Sequence, residues 1–260
     1  MRISVLGCGW LGLSLAGALA SDGHVVRGST TTPGKMDAIR DAGVAPHLIR
    51  LSPDPEGELD GFFDAETMIV TLPPSGGGEP YIQRLTALLN AARQGSVRGY
   101  VFTSSTSAYA MQNDVVDEND STPPATERGK TMREAEALFL VPPFDAVVLR
   151  LGGLYGPDRD PARSLSGRTG VAGPDAPVNL VHRDDVIGVV QAILAQDVRN
   201  GVFNVVADAH PTKRAYYTAR AEALGLPPPQ LAESPVPWKK VSSRKVQDVL
   251  GYTFRHRPEV

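Results

Sequence analysis

The apolar positions along this chain fall into two kinds of block. Compact runs rich in β-branched residues occur at Ile3–Leu6, His24–Arg27, His47–Leu51, Thr67–Leu72, Tyr100–Thr103, Ala146–Leu151 and Val202–Val206, each of strand length. Between them apolar residues recur at helical spacing over Leu11–Ala20, Gly34–Ala42, Tyr81–Arg93, Arg133–Leu140 and Asp184–Leu194. Strands alternating with helices predict a parallel sheet covered on both faces. The expected fold is α/β, a doubly wound parallel (Rossmann) sheet with right-handed crossovers.

Two stretches break the alternation. Residues 111–127, containing DVVDENDSTPP, are polar and acidic and read as a surface loop. Residues 155–179 are rich in Gly, Pro and Arg without a period, and long irregular stretches of this kind tend to lie over a binding site. A helical pattern around Ala215–Leu224, prolines at 227–229 and a last helix near Ser242–Leu250 form a small C-terminal substrate lobe. The expected organisation is a dinucleotide-binding core over 1–154. Residues 155–260 supply substrate-side segments and the lobe, with Val178–Val206 partly returning to the core, all in one structural unit.

The beginning of the chain fits a second pattern. Met1-Arg2 followed by ISVLGCGWLGLSLAGALA has the shape of a signal peptide, and VLGC resembles a lipoprotein cleavage box. The strand pattern His24–Arg27 that follows completes a βαβ unit, which favours strand, glycine turn and helix.

Composition narrows the class. Of 260 residues 42% are hydrophobic and 21% charged, with a net charge of −3 and no run of like charges. Bulk attraction to nucleic acid or to an anionic membrane is thereby excluded, and no apolar stretch reaches transmembrane length. The single cysteine, Cys8, permits no internal disulfide and fits a reducing, cytoplasmic setting.

Gly7-Cys8-Gly9-Trp10-Leu11-Gly12 matches G-x-G-x-x-G. The pattern alone is weak, but here it follows a strand and opens a helix, which is the context a dinucleotide site requires. Gly7 allows the tight turn, Gly9 the approach of a pyrophosphate, and Gly12 close helix packing, while the amides of Trp10 and Leu11 face the anion. An NAD site places Asp or Glu at the end of the second strand. This chain has Arg27-Gly28-Ser29-Thr30-Thr31, then Lys35. Hydroxyls and a cation there suit a 2′-phosphate, so NADP is expected over NAD, although Ser29 to Thr32 also read as a helix cap. Leu72 and Pro73, within Thr71-Leu72-Pro73-Pro74-Ser75-Gly76, are expected along the same sheet edge. Cys8 reads as a small filler, and no spacing suggests a metal.

The blocks GCGWLG, VFTSSTSAYA, LRLGGLYGP, VNLVHRDDV and GVFNVVAD, in this order and over nearly the whole chain, resemble the short-chain dehydrogenase/reductase superfamily, on its extended or atypical branch of NAD(P)-dependent epimerase/dehydratase-like proteins. The resemblance implies a Ser or Thr, a Tyr and a Lys acting together. The Tyr exchanges a proton as hydride passes, the Lys lowers its pKa and holds the ribose, and the hydroxyl positions the substrate oxygen. It places Ser105 in the serine slot, Ser104 beside the cofactor and Tyr109 at a loop tyrosine common in the family.

The family's Y-x-x-x-K is missing. Across PPATERGKTMREAE, a register anchored on Glu136 puts Arg128 in the tyrosine slot and Met132 in the lysine slot. A register on Glu134 aligns Lys130 but leaves Thr126 for the tyrosine. Neither Arg nor Thr replaces a phenol as an acid. Two functions therefore compete. One is an NADP-dependent oxidoreductase or nucleotide-sugar epimerase-like enzyme, with Tyr109 as acid, Ser105 orienting and Arg128 clamping an anionic carbonyl substrate. The other is a non-catalytic NADPH-binding sensor or scaffold.

Other residues carry two readings each. Asp184 and Asp185 suit an active site or a helix start. Asn179 and His182 match substrate-side positions or structural ones, and Tyr155 borders the nicotinamide or packs. Arg159, Arg163 and Arg168 suit a phosphorylated or carboxylated substrate. The stripes on Tyr81–Arg93 and Arg133–Leu140 suit a homodimer bundle, as in family members.

Overall fold

The computed structural model describes residues 1–74, 78–142 and 144–258. Its elements, in chain order, are β1 (Arg2–Leu6), α1 (Trp10–Ser21), β2 (Val25–Thr30), α2 (Met36–Asp41), β3 (Ala45–Leu51), β4 (Pro55–Gly57), β5 (Thr67–Val70), α3 (Gly78–Arg93), β6 (Gly99–Ser105) and β7 (Asp114–Val116). There follow α4 (Glu127–Phe139), β8 (Asp145–Leu151), β9 (Gly153–Tyr155), α5 (Ala162–Leu165), β10 (Leu180–His182), α6 (Arg183–Ala195), β11 (Gly201–Val205), α7 (Lys213–Ala223), β12 (Lys239–Val241) and α8 (Arg244–Leu250).

Eight strands form one sheet in the order β11-β8-β6-β5-β1-β2-β3-β4. From β3 through β2, β1 and β5 to β6 the pairs are parallel, and β4 returns antiparallel on β3. All seven expected strands and all the expected helices are present, so the fold is the α/β Rossmann-like sheet that the alternation implied. The chain runs from β1 through α1 to β2 on one side, then returns to place β5 on the other. The strand order thus reverses at β1, and the crevice outside β1 and β5 is where a ligand binds in such sheets.

The chain forms two compact units. The first holds Met1–Ser104, Ala125–Leu149 and Ile193–Val202; the second holds Ser105–Pro124, Arg150–Ala192 and Phe203–Val260. In the first, Ile3, Val5, Leu15, Leu19, Ile69 and Leu85 are sealed from solvent, and the Phe102 and Phe139 rings stack with centroids 4.4 Å apart. The apolar stripes of α3 (Tyr81, Leu85, Leu88, Leu89) and α4 (Met132, Ala135, Phe139) are buried within this unit. In the second, Tyr109, Val116, Val206 and Val241 form one cluster and Val178, Leu180 and Tyr216 another. Two parallel pairs, β9 with β10 and β7 with β12, add small sheets there. No pattern had marked these three-residue strands, because they are too short to show a period.

Among the described residues no helix is long and apolar enough to cross a membrane.

Candidate functional site

The first unit opens a cavity of about 450 Å³ at the carboxyl ends of β1, β2, β3 and β5. Gly7 leaves β1 with φ +99°, a conformation that favours glycine. The turn is fastened from three sides. Gly7 N–H donates to Ser29 Oγ at 3.0 Å, Cys8 N–H to the Ser29 carbonyl at 2.7 Å, and the Thr71 hydroxyl to the Gly7 carbonyl at 2.7 Å. A Cβ on Gly12 would sit 2.2 Å from the Gly7 carbonyl oxygen and 2.7 Å from Thr71 Oγ1, so only glycine lets α1 pack this closely on the turn. A Cβ on Gly9 would meet nothing nearer than 4.0 Å. Open space above Gly9 and the lack of a side-chain cap from Gly9 leave room for an anion at the start of α1. The residues present fit a dinucleotide pyrophosphate.

Of the expected cofactor residues, Gly7, Gly9, Ser29, Thr30, Thr31, Lys35, Leu72 and Pro73 line this cavity. Trp10, Leu11, Gly12 and Ser104 do not. Trp10 and Leu11 begin α1, where Leu11 packs into the core. Ser104 is buried and donates its hydroxyl to Glu136 Oε1 at 2.6 Å. Ser29 and Thr30 are also buried, and Thr30 Oγ1 accepts the Thr32 N–H at 3.1 Å, whereas Thr31 and Lys35 are exposed. Ser75 and Gly76 lie outside the described residues. Sequence reasoning missed Arg50, Ser52, Tyr81 and Arg84. The first two follow from topology, since β3 ends beside β2 and presents its last residues to the same edge. Tyr81 anchors the lip by donating to the Leu72 carbonyl at 3.0 Å. Burial pushes the Cys8 thiol up to about 12, which keeps it protonated and inert.

The α4 helix, with its N-cap, carries the residues of both registers of the family slot. Met132 and Glu136 point into the core. Lys130 turns outward to an exposed pair with Glu127 at 2.7 Å, Thr126 caps the helix by accepting the Gly129 N–H at 3.1 Å, and Arg128 is exposed. Arg128 belongs to the first unit, Ser105 and Tyr109 to the second.

In the second unit Ser105 Oγ accepts the Ser107 N–H at 3.1 Å. The Tyr109 side chain is buried, and its hydroxyl donates to Asn204 Oδ1 at 2.8 Å. The Arg150 guanidinium lies 4.5 Å from the Tyr109 ring centroid. Lys239, buried as well, donates to the Tyr109 carbonyl at 2.7 Å. Burial raises the Tyr109 pKa against the opposing pull of Arg150, so the phenol stays protonated. Burial pushes the Lys239 ammonium down to about 8. Asn179 clamps β12, donating to the Lys239 carbonyl (2.9 Å) and accepting the Val241 N–H (2.8 Å), which is the structural one of its two readings.

No protein-family model matches the chain. Over 264 residues it is 34% identical to protein YeeZ of Escherichia coli K12, covering 98% of this chain and 96% of the relative. A Methylobacillus flagellatus structure named for an inferred NAD-dependent epimerase/dehydratase activity is 25% identical with a TM-score of 0.78, covering 99% of this chain and 94% of that one. MoeE5, solved with UDP-glucose and NAD, superimposes with a TM-score of 0.82 at 20% identity over 99% and 94% of the two chains. The chain belongs to the extended short-chain dehydrogenase/reductases. No Y-x-x-x-K occurs anywhere in the sequence.

Proposed function

We propose that the chain is an NAD(P)-dependent oxidoreductase of the nucleotide-sugar epimerase kind that prefers NADP. The observation carrying this reading is the lining of the glycine-loop cavity: it contains Lys35, Arg50 and the Thr31 and Thr32 hydroxyls and, among the described residues, no carboxylate. A 2′-phosphate gains cationic and hydroxyl partners there and meets no like charge. When bound, the cofactor supplies or takes up hydride. The chain's part is to hold the pyrophosphate on the α1 amides and to fix the ribose end with β2 and β3. The substrate class rests on the resemblance to proteins such as MoeE5, which binds UDP-glucose and NAD. Its NAD is the argument against the NADP preference. A cytoplasmic homodimer completes the reading, joined by a surface other than the α3 and α4 stripes, which are buried within the chain itself.

Titration with NADPH and NADH, followed by nicotinamide fluorescence, tests it. Micromolar NADPH binding at least 10-fold tighter than NADH is expected, with Lys35→Glu removing the preference. NADH binding as tightly would overturn the NADP preference, and binding of neither would overturn the oxidoreductase.

A second reading, a non-catalytic NADPH sensor or scaffold, is favoured by one observation. The only loop tyrosine in the family's serine block has its hydroxyl committed to Asn204. Cofactor-dependent capture of a protein partner, with no NADPH consumed on any UDP-sugar, is the outcome expected under it.

A further inference from the structure

Four separate segments of the second unit enclose a cavity of about 320 Å³ that shares no lining residue with the glycine-loop cavity. Its walls are the turn after β9, the end of β10, one face of α7 and residues 255–257. Arg159, Arg220, Arg255 and Arg257 line it and, among the described residues, face a single lining carboxylate, Asp160. That carboxylate is already engaged, receiving Arg220 Nε at 3.0 Å and Nη2 at 2.7 Å. Among the described residues neither the Arg255 nor the Arg257 guanidinium is hydrogen-bonded or ion-paired.

The cavity is built rather than a chance meeting of surface side chains. Asp185, with no exposed surface, accepts the Tyr252 hydroxyl (2.9 Å) and the Arg255 N–H (2.9 Å) on Oδ1. On Oδ2 it accepts the His256 N–H (3.0 Å), with His256 Nδ1 at 3.1 Å. One buried carboxylate thus fixes the backbone that carries Arg255 and Arg257. His256 stacks on His182 at 3.8 Å, and His182 packs on the turn: a Cβ on Gly156 would lie 3.1 Å from its Nε2. Opposite, Tyr216 is buried one helical turn from Arg220.

We propose that this cavity binds the phosphoryl group of a small molecule. Four arginines lining one opening, with one engaged carboxylate among the described lining residues, match a multiply charged oxyanion. The site goes beyond the oxidoreductase reading and stands without it. His182, Asp184 and His256 also bring ligand atoms within 4.8 Å of one another, the donor set of a metal centre. The arginines decide against that occupant, since they raise the potential a divalent cation would have to enter.

Calorimetric titration of the full chain with inorganic pyrophosphate, at fixed ionic strength, tests the proposal. A saturable site is expected that weakens at least 10-fold when Arg255→Gln is combined with Arg257→Gln, whereas any binding on the α1 amides is unchanged in that variant. Both side chains are exposed, so melting temperature and NADPH affinity should stay unchanged in that variant. Displacement of pyrophosphate by UDP-glucose would make a nucleotide sugar the source of the phosphoryl group. Displacement by glucose 1-phosphate alone would make it a separate sugar phosphate. Absence of saturable binding, or equal binding by the double variant, would overturn the site. So would inert pyrophosphate together with Zn²⁺ binding that disappears in a His182→Ala, His256→Ala variant.

Discussion

The glycine-loop cavity and the arginine cavity are both anion-friendly, yet they are built by opposite means. The first takes its key features from six consecutive residues, Gly7 to Gly12, and presents backbone amides at a helix start. The second gathers side chains from positions as distant as Tyr155 and Arg257, and a buried carboxylate holds them in place. A backbone site depends on the absence of a side chain at one or two positions. A side-chain site depends on charges that local sequence does not require. The two should therefore fail differently under substitution.

The largest effect is expected at Gly12. In Gly12→Ala the new methyl group would sit 2.2 Å from the Gly7 carbonyl oxygen, and this neighbour is backbone, so the turn itself must move. Overpacking of this kind costs about 1–3 kcal/mol, and a displaced turn loses the amide geometry that holds pyrophosphate. NADPH affinity should fall by about 100-fold, worth roughly 2.7 kcal/mol, while pyrophosphate binding by the arginine cavity persists. Loss of both in a variant that remains folded would break the distinction between the two sites.

That contrast also explains what the sequence could disclose. The alternation of β-rich runs and helical stripes located all seven major strands, because burial on both faces imposes a continuous apolar run. GCGWLG was legible because its chemistry is contiguous. Arg50 was not marked, since its role follows from β3 lying beside β2, a fact of topology and not of local pattern. Arg159 was noticed as one of three arginines in an irregular stretch, but nothing along the chain joins it to Arg220 or Arg255. His182 and His256 are 74 positions apart and stack ring on ring. Asp185 read equally well as a helix start; that it holds the backbone of residues 255 and 256 emerges only in three dimensions.

Acid should sharpen the comparison at an intermediate size. Burial, with Lys240 nearby, lowers the pKa of His210 in the second unit from 6.5 to about 4. Between these values the unfolded chain binds more protons than the folded one. Stability contributed by neutral His210 is therefore present above pH 6.5 and lost as pH falls through the window to about 4. The loss is on the order of 2 kcal/mol, after discounting for partial exposure. Urea unfolding at pH 7 and pH 4.5 should show it, with the difference shrinking in His210→Gln. Trp10 belongs to the first unit and Trp238 to the second, so single-tryptophan variants report which unit loosens. The Trp238 signal is expected to change first, and an equal shift in both would mean that the two units unfold as one.

The smallest effect concerns Tyr109, where the two functional readings meet. If its hydroxyl is structural, Tyr109→Phe removes one buried hydrogen bond and leaves Asn204 Oδ1 without its donor. The expected cost is about 1–2 kcal/mol, partly offset because Asn204 keeps its other two anchors, to Ser242 and Glu118. Turnover of a UDP-sugar should then change by no more than a few-fold. If the phenol is instead the replacement acid, the same variant loses about 10²-fold or more in turnover with a similar change in stability. The ratio of the two effects, rather than either alone, discriminates. Proton transfer requires the phenol to leave Asn204 during the cycle. Asn204→Ala, which frees that hydroxyl, should therefore raise turnover under the acid reading and leave it unchanged under the structural one.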